Sequence, residues 1–476
     1  MKDCCDDKTP KDDFDLLVIG AGSAGFSAAI TAADDGARVA LIGHGTVGGT
    51  CVNVGCVPSK AMIRAVEIMQ SARAVDRFDG IEVSAKVTDW GAVVRQKQVL
   101  VDDLRAAKYT DVLPNYDTVT YIEGAAQFQA DGSVAVDGQV IKAGKVIVAT
   151  GSRPHIPDID GLENVDWLDS TTALELEVLP ASLTIMGGGY IGVELAQIFA
   201  RAGAKVTIVT RRGLLPEAEP EISAALTEYF TDEGITVLGG LTYERFEHSN
   251  EQVVLHSRQN GKPVVIASEQ LLLTTGRVPN TDSLELQIAG IKTDKRGGIV
   301  TNAQMQTSLA HVYAAGDVTG RDQFVYMAAY GAKIAAKNAM TGAGLVYDNS
   351  TMPAVVFCDP QVASVGLTEA AAKAQGIETL TSVLPLEHVP RALAARDTRG
   401  LIKLVADKSS KKLLGAHILA PEGSDSIQTA AMALKAGLTY DDLGAMIFPY
   451  LTTVEGLKLA AQTFEKDVAK LSCCAG

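Results

Sequence analysis

The sequence predicts an α/β fold in which two strand-helix-strand units are followed by an α+β region. Unbroken apolar runs that end in glycine are typical of buried parallel strands, and they precede Ala-rich helices at residues 15–20 and 183–187. Beyond residue 350 the chain changes to alternating strand-like runs, such as 354–357 and 400–405, with Ala-rich helical stretches between them.

The first unit begins after a charged tail, residues 1–13, which we expect to be disordered. A buried strand over 15–20 leads into a helix over 23–35, and a second buried strand follows over 37–42. Strand, helix and strand in this order are the elements of a Rossmann-like unit.

The turn between the first strand and its helix has the pattern Gly-x-Gly-x-x-Gly, made by Gly20, Gly22 and Gly25, with Ala24 inside it. Glycines at this place permit a tight turn and bring a pyrophosphate close to the helix N-terminus, so a dinucleotide site is predicted. An acidic residue normally holds the ribose at the end of the second strand, but Gly43 stands there. What holds the ribose is left open.

The second unit repeats the pattern with Gly187, Gly189 and Gly192, followed by a helix over 190–202 and a strand over 204–210. Two dinucleotide-binding units imply two bound nucleotides.

The second strand of this unit ends in Arg211 and Arg212 instead of an acid. Two guanidinium groups suit a 2′-phosphate, which favours NADPH over NADH. A solvated basic turn is the alternative interpretation.

Composition argues against two classes of partner. The chain has 42 Lys and Arg against 57 Asp and Glu, and its formal charge of -15 repels nucleic acids and anionic membranes. No run approaches the roughly 18 apolar residues of a membrane helix, and the acidic residues 1–15 do not resemble a signal peptide. We therefore expect a cytoplasmic protein.

The cysteines fall into three pairs and one single position: Cys4 and Cys5, Cys51 and Cys56, Cys473 and Cys474, and Cys358. In a reducing compartment such pairs indicate redox chemistry or soft-metal binding more often than structural bridges. A helical run is predicted over 61–71, and Pro58 suits the first turn of that helix, which places Cys56 beside its N-terminus. The helix dipole there favours a thiolate. Cys358 is expected to be a small buried hydrophobic residue.

Residues 48–60, GGTCVNVGCVPSK, resemble the redox-active segment of the pyridine nucleotide-disulfide oxidoreductases, the family of lipoamide dehydrogenase and glutathione reductase. The resemblance extends from about residue 14 along nearly the whole chain, and residues 189–194 and 313–317 are similar to the family's nicotinamide and second FAD segments. It implies four parts: an FAD-binding domain over 14–160, an NADPH-binding domain over 161–285, a central segment over 286–350, and a dimerisation domain over 351–476.

The resemblance also implies roles for single residues. Cys56 would lie against the flavin and Cys51 would face the substrate. Lys60 would pair with Glu194 beside the flavin, and Tyr190 would cover the ring until nicotinamide enters. Further cofactor-binding positions implied in this way are Gly49, Thr50, Gly151, Gly276, Arg277 and Asp317, the last of which would bind the ribityl chain.

The carboxyl-terminal region discriminates between members of the family. Those that form dithiols place a His about five residues before a Glu, but here Tyr450 precedes Glu455 and the last histidine is His417. A general acid near neutral pH is therefore missing where thiol-disulfide exchange needs one. Reduction of a metal ion can proceed without this histidine, because the substrate itself contains no leaving thiol that must be protonated.

The chain ends close to Cys473 and Cys474, two adjacent thiols that can bind a soft metal. This ending resembles that of the members that reduce mercuric ion. The resemblance implies a homodimer in which the tail of one subunit passes thiol-bound Hg(II) to Cys51 and Cys56 of the other. The expected role is mercury detoxification.

Two tyrosines, Tyr109 and Tyr450, match tyrosines of the metal site in those members, although either alone is more often a packing residue. Many such members also carry an amino-terminal metal-binding domain with a Cys-x-x-Cys loop, which this sequence does not contain. Cys4 and Cys5 are interpreted either as a thiol site able to take up metal or as part of a disordered tail.

Two other functions stay open. A thioredoxin-reductase-like enzyme also fits a terminal dithiol, although the missing histidine argues against it. A non-catalytic protein that stores soft metals, with its nucleotide folds kept as a scaffold, is the second.

Overall fold

The computed structural model describes residues 13–468, in which 22 strands and 13 α-helices are assigned. The strands are β1 (Phe14–Ile19), β2 (Val39–Gly43), β3 (Val119–Glu123), β4 (Ala126–Phe128), β5 (Val134–Val136), β6 (Gln139–Ile141), β7 (Ala143–Val148), β8 (Ser152–Pro154), β9 (Ser182–Met186), β10 (Lys205–Val209), β11 (Thr236–Leu238), β12 (Leu241–Ser249), β13 (Gln252–Gln259), β14 (Lys262–Ser268), β15 (Gln270–Leu273), β16 (Arg277–Pro279), β17 (Val312–Ala314), β18 (Pro353–Val356), β19 (Gln361–Gly366), β20 (Thr379–Pro385), β21 (Leu401–Asp407) and β22 (Leu413–Ala420).

The α-helices are α1 (Ser23–Asp34), α2 (Gly49–Val54), α3 (Cys56–Arg73), α4 (Trp90–Arg105), α5 (Ser170–Glu175), α6 (Tyr190–Ala202), α7 (Pro220–Asp232), α8 (Val325–Thr341), α9 (Glu369–Ala374), α10 (Pro390–Ala395), α11 (Gly423–Lys435), α12 (Tyr440–Ala445) and α13 (Glu455–Gln462). Within residues 13–468, no helix combines the length and the apolar character needed to cross a membrane.

The described residues divide into two units made of separate segments of the chain. Unit 1 contains 13–58, 96–155 and 277–348, and unit 2 contains 59–95, 156–276 and 349–468. The boundaries between the four parts implied by the family resemblance remain a prediction.

Unit 1 is built on a parallel sheet with the strand order β17-β7-β1-β2-β3. The apolar residues 16–19 of β1 are buried because β1 pairs with β2 on one side and with β7 on the other. The apolar run at 15–20 thus forms the strand that it predicted. Unit 1 also contains the antiparallel sheet β4-β5-β6 and the short pair β8-β16.

Unit 2 contains a second parallel sheet, in the order β11-β10-β9-β15, and the antiparallel sheet β12-β13-β14. Helix α6 begins at Tyr190, directly after its N-cap Gly189, and ends before Gly203, whose φ of 125° an L side chain rarely adopts. Its inner residues, including Val193 and Phe199, enter the core of the unit. The predicted helix over 190–202 is confirmed.

The carboxyl-terminal part of unit 2 is an antiparallel sheet with the order β18-β19-β22-β21-β20, packed with α11 and α13. This arrangement confirms the predicted α+β region beyond residue 350. The fold class, two Rossmann-like units and a carboxyl-terminal α+β domain, is confirmed as well.

A buried ion cluster lies within unit 2. The Nζ atom of Lys403, on β21, is 2.9 Å from Glu219 Oε2, 2.9 Å from Glu221 Oε1 and 3.1 Å from Glu369 Oε2, and the Lys403 side chain is only 2% exposed. His417 lies beside this cluster, and burial lowers its pKa. The cluster joins residues from α7, α9 and the carboxyl-terminal sheet.

Candidate active site

The first glycine-rich turn joins β1 to α1 in unit 1. A Cβ atom at Gly25 would collide with the main-chain carbonyl of Gly20, so the helix approaches the strand this closely only with glycine. Gly22 is the N-cap of α1 and supplies no side-chain cap. The N–H groups of the first helical turn, which includes the buried Ala24, therefore remain available to an anion.

The segment that carries the cysteine pair passes directly over this turn. A Cβ at Gly22 would lie 3.4 Å from the Cα atom of Gly49, and Gly22 forms a β-bridge with Gly48. Thr50 follows on α2 and is exposed. The main chain at Gly22 and the main chain at Gly48 and Gly49 are therefore in direct contact. The cradle formed by this turn and the N-terminus of α1 fits the pyrophosphate of a dinucleotide such as FAD.

Cys51 lies on α2, and Cys56 is the first residue of α3. The predicted helical run over 61–71 lies within α3, and Pro58 is in its first turn as predicted. Pro58 is tolerated because the first N–H groups of a helix have no partner within it. Both cysteines are partly buried, and the N-terminus of α3 favours negative charge at Cys56.

Two residues that the sequence analysis missed hold the segment between the cysteines. The side-chain amide of Asn53 donates to the carbonyls of Val47, at 3.0 Å, and Gly49, at 2.9 Å. Arg105 Nη1 donates to Asn53 Oδ1 at 3.1 Å. Only the position of Asn53 between the two cysteines could have drawn attention to it, and no sequence signal marks Arg105.

Tyr109 lies in the π-helical turn that follows α4. Its hydroxyl is 2.9 Å from Ser23 Oγ, and its ring meets the edge of Phe26 at a centroid distance of 4.8 Å. Burial raises the pKa of the Tyr109 hydroxyl, and negative charge on Cys51 and on Cys56 raises it further. The structure thus brings this predicted residue together with the cysteine pair, with a hydroxyl that stays protonated.

Asp317 lies just after β17 and is held by two residues of unit 1. Ser152 Oγ donates to its Oδ2 atom at 2.7 Å, and Arg277 Nε is 4.0 Å from the same atom. Arg277 also donates to Ser152 Oγ at 2.8 Å and to the Ser152 carbonyl at 2.7 Å. Arg277 and Asp317 were predicted, whereas Ser152 was missed although it directly follows the predicted Gly151.

Gly151 and Gly276 precede β8 and β16 with φ angles of 72° and 116°. Side chains would find open space at both positions, so it is the backbone turn that requires glycine there.

In unit 2, Lys60 and Glu194 form the predicted ion pair. Lys60 Nζ is 2.7 Å from Glu194 Oε2 and 3.0 Å from Oε1, and the Glu194 side chain is 8% exposed. The main-chain N–H of Phe357 also donates to Glu194 at 2.9 Å, and Lys60 lies 4.8 Å from the centroid of the Phe357 ring. The next residue, Cys358, is buried as predicted, and burial raises the pKa of its thiol.

The second glycine-rich turn repeats the geometry of the first. A Cβ at Gly192 would collide with the Gly187 carbonyl, while the space around Gly189 is open. Gly189 is the N-cap of α6 without a side-chain cap, so this helix also offers free N–H groups, as the pyrophosphate of NADPH requires. Tyr190, the first residue of α6, is 40% exposed, and burial of the remainder raises its pKa.

Arg211 and Arg212 are both exposed at the end of β10, but their surroundings differ. The guanidinium of Arg211 lies 5.8 Å from the centroid of the Tyr243 ring, and burial raises the pKa of Tyr243 to about 12. Arg212 Nη1 instead pairs with Glu217 Oε1 at 2.7 Å. Only Arg212 has an acidic partner that a phosphate must displace.

The structure describes some of the predicted carboxyl-terminal site residues and not others. Tyr450 is 57% exposed between α12 and α13, and the buried Glu455 accepts a hydrogen bond from the main chain of residue 451. His417 is 2% exposed, so it is no substitute for the missing general acid. Cys473 and Cys474 lie outside the described residues, as do Cys4 and Cys5. Within residues 13–468, no group of three or more His, Cys, Asp or Glu side chains could hold a metal ion.

Comparisons with known proteins match nearly the whole chain. The family model for pyridine nucleotide-disulphide oxidoreductases matches residues 14–336, and the model for their dimerisation domain matches residues 352–461. The mercuric reductase of Lysinibacillus sphaericus is 48% identical over 98% of this chain and 85% of its own length. The mercuric reductase of Streptomyces lividans is 46% identical over 97% of this chain and 98% of its own. Among solved structures, the HOCl-induced flavoprotein disulfide reductase RclA from Escherichia coli aligns with a TM-score of 0.83 and 32% identity, covering 94% of this chain and 99% of that one.

Proposed function

This chain belongs to the pyridine nucleotide-disulphide oxidoreductase family, and we propose that it reduces mercuric ion to elemental mercury with electrons from NADPH. The observation that carries the proposal is the identity of 48% and 46% to two mercuric reductases over 98% and 97% of the chain. FAD and NADPH are its cofactors, and the two glycine cradles fit their pyrophosphates. The net reaction, NADPH + Hg(II) → NADP⁺ + H⁺ + Hg(0), detoxifies mercury.

Bound FAD supplies two-electron transfer between the nicotinamide and the cysteine pair. We propose that Asp317, oriented by Ser152 and Arg277, binds the ribityl chain. By the family resemblance, the pair of Lys60 and Glu194 would place a positive charge next to the flavin ring. Glu194 is buried and is anchored on a second side by a main-chain N–H. That anchoring limits the positions Lys60 can adopt.

Cys51 and Cys56 would bind Hg(II) as two thiolates, which are the ligands that soft metals prefer. In each exchange one Hg–S bond to the chain forms, and one Hg–S bond to the thiol that carried the metal breaks. That carrier thiolate departs and takes up a proton from water. Two electrons then reduce the metal, both Hg–S bonds break, and Hg(0) leaves with the thiolates regenerated. The protonated hydroxyl of Tyr109 can donate a hydrogen bond to a thiolate or to an arriving ligand during this exchange.

The chain carries a dimerisation domain over residues 352–461, which supports a homodimer. We propose that Cys473 and Cys474 of one subunit capture thiol-bound Hg(II) and pass it to the cysteine pair of the other, where Tyr450 lines the metal site. Mixed dimers test this transfer. One subunit lacking Cys51 and Cys56, combined with one lacking the terminal pair, retains one complete site if the tail acts across the interface. Activity no higher than that of the parent mutants refutes the transfer.

The test of the function follows NADPH oxidation by the purified protein with HgCl2 in excess small thiol. Oxidised lipoamide, glutathione disulfide and thioredoxin serve as competing substrates. We expect Hg(II) to dominate, and faster oxidation with any disulfide would overturn the proposal. A metal-storage protein is excluded if the flavin is bleached by NADPH, because storage needs no electron transfer.

Disulfide reduction is the second candidate, since RclA is a disulfide reductase with a similar fold. The residue that argues against it is Tyr450, which stands where a dithiol-forming reductase has its histidine. We expect Tyr450→His to leave reduction of the flavin by NADPH unchanged and not to create efficient disulfide turnover. Stopped-flow spectroscopy checks the first expectation, and a large loss in that step would move Tyr450 to the nicotinamide side.

A further inference from the structure

The adenosine ribose of FAD lacks its usual acidic partner in this chain. Gly43 is the last residue of β2, where the dinucleotide-binding pattern expects an Asp or Glu. The neighbouring strand β3 runs parallel to β2 and ends in register with it, pairing Gly43 with Glu123 and Leu41 with Tyr121. The N–H of Gly124 donates to the Gly43 carbonyl at 2.9 Å, which keeps the two strand ends together.

These four paired residues share one face of the sheet, because side chains alternate along a strand. Leu41 shows which face it is, since its Cδ1 atom lies 3.5 Å from the position of a Cβ at Gly25 in α1. The side chains of Tyr121 and Glu123 therefore belong to the face covered by α1. The N-terminus of the same helix forms the pyrophosphate cradle.

Tyr121 occupies the space that a side chain at residue 43 would need. A Cβ built on Gly43 would lie 2.7 Å from Cε2 and 2.8 Å from Cζ of the Tyr121 ring, and closer still to its hydroxyl oxygen. The hydroxyl thus lies against the position that the Cβ atom of an acidic residue at position 43 would take. Burial raises the pKa of Tyr121 and the charge of Glu123 raises it further, so the hydroxyl remains protonated near a carboxylate.

We propose that the Tyr121 hydroxyl and the Glu123 carboxylate together bind the ribose hydroxyls of the adenosine half of FAD, in place of the acidic side chain that Gly43 lacks. A phenol can both donate and accept a hydrogen bond, and a carboxylate accepts one, which matches two adjacent sugar hydroxyls. The assignment rests on the proposed function only in taking FAD as the ligand.

The experiment measures flavin affinity instead of turnover. The flavin is removed from the purified full-length chain, which is then titrated with FAD and with analogues that carry 2′-deoxyadenosine or 3′-deoxyadenosine, followed by flavin fluorescence. We expect Tyr121→Phe to weaken FAD binding about three- to tenfold, and Glu123→Gln to weaken it about tenfold or more, as for the loss of a neutral and of a charged hydrogen bond. Tyr116→Phe, a partly buried tyrosine shortly before β3, is the matched control and should bind FAD as the unmodified chain does.

The analogues decide the assignment. The unmodified chain should bind at least one deoxy analogue several-fold more weakly than FAD. Tyr121→Phe or Glu123→Gln should bind that analogue with nearly the same affinity as the unmodified chain does, because the hydrogen bond is already missing. The proposal is overturned if the unmodified chain binds both analogues as tightly as FAD, a result that needs no variant to fold. It is also overturned if the loss of binding free energy for a variant with the deoxy analogue equals the sum of the loss from the variant alone and the loss from the analogue alone. Absence of mercury reduction would contradict the proposed function and leave these affinities untouched.

A reciprocal exchange gives an independent test. Tyr121→Ala should weaken FAD binding and also clear the space beside residue 43. Adding Gly43→Glu to that variant restores the usual acidic partner, so FAD affinity should recover toward that of the unmodified chain. A double variant that binds FAD no better than Tyr121→Ala would count against the proposed site.

Discussion

Replacing Arg211 with glutamine should weaken NADPH binding more than the same change at Arg212. Each guanidinium can offer a charge-assisted hydrogen bond to the 2′-phosphate, worth about 1.5–3 kcal/mol, or about 10- to 150-fold in Kd. The Arg211 guanidinium faces the neutral ring of Tyr243, so binding a phosphate there need not break an ion pair. Arg212 must first give up Glu217, 2.7 Å away.

The strength of that competing pair follows from exposure. The Arg212 side chain is 66% exposed and that of Glu217 is 81% exposed, so the pair is worth about 0.2–1 kcal/mol. Arg212 should therefore contribute less than Arg211 by that amount. Glu217→Gln should tighten NADPH binding by a factor of about 1.5 to 5 and leave NADH unchanged.

Isothermal titration of the variants with NADPH and with NADH provides the measurement. Lys205→Gln is the matched control, because Lys205 is an exposed cation at the opposite end of the same strand β10. It should change neither affinity. The reasoning is refuted if the two arginine variants lose affinity for NADPH equally and Glu217→Gln has no effect on that affinity. It is also refuted if both arginine variants lose affinity for NADH as strongly as for NADPH.

Three further predictions concern the tail, the stability of the fold and its dependence on pH. Replacing both Cys473 and Cys474 with alanine should cripple turnover of Hg(II) bound to two bulky thiols while single-turnover reduction of HgBr2 survives, and equal loss with both forms would refute a delivery role. Lys403→Met should cost about 3–5 kcal/mol in the free energy of unfolding, because it leaves the buried carboxylate of Glu219 without its cation. Lys408→Met, which removes an exposed pair, should cost less than about 1 kcal/mol in the same urea titration. Because burial depresses the pKa of His417, the unfolded chain takes up its proton first, and stability should fall as pH drops below about 6.5. His417→Gln should flatten that part of the stability profile, and an unchanged slope would contradict this reading.

Features encoded in contiguous residues could be predicted from the sequence. Glycine spacing located both nucleotide turns, since the collision of a Cβ at Gly25 with Gly20 depends only on local geometry. The pair of Lys60 and Glu194 came from family resemblance, because no periodicity joins residues so far apart in the chain. The place of Cys56 at the N-terminus of α3 followed from Pro58, which suits the first turn of a helix.

The remaining site features depend on tertiary contacts that no local pattern reports. Ser152 meets Asp317 only because β7 and β17 are neighbours in the sheet. Tyr121 fills the space above Gly43 only because β3 aligns with β2. The missing acid was recognisable in the sequence, whereas the side chains that replace it required the register of the strands.

The contact between Gly22 and Gly49 bears on attempts to engineer this protein for other metals. A Cβ at Gly49 would lie 2.7 Å from the Cα atom of Gly22, and Gly22 has no side chain that could be made smaller, so a larger residue at Gly49 cannot be accommodated there. A library that varies Gly49 would consist mostly of chains with a displaced cysteine segment. Diversity is better placed at Tyr109, whose side chain borders the cysteine pair from a separate helical turn, so that metal preference can be altered without disturbing the path of the backbone beneath it.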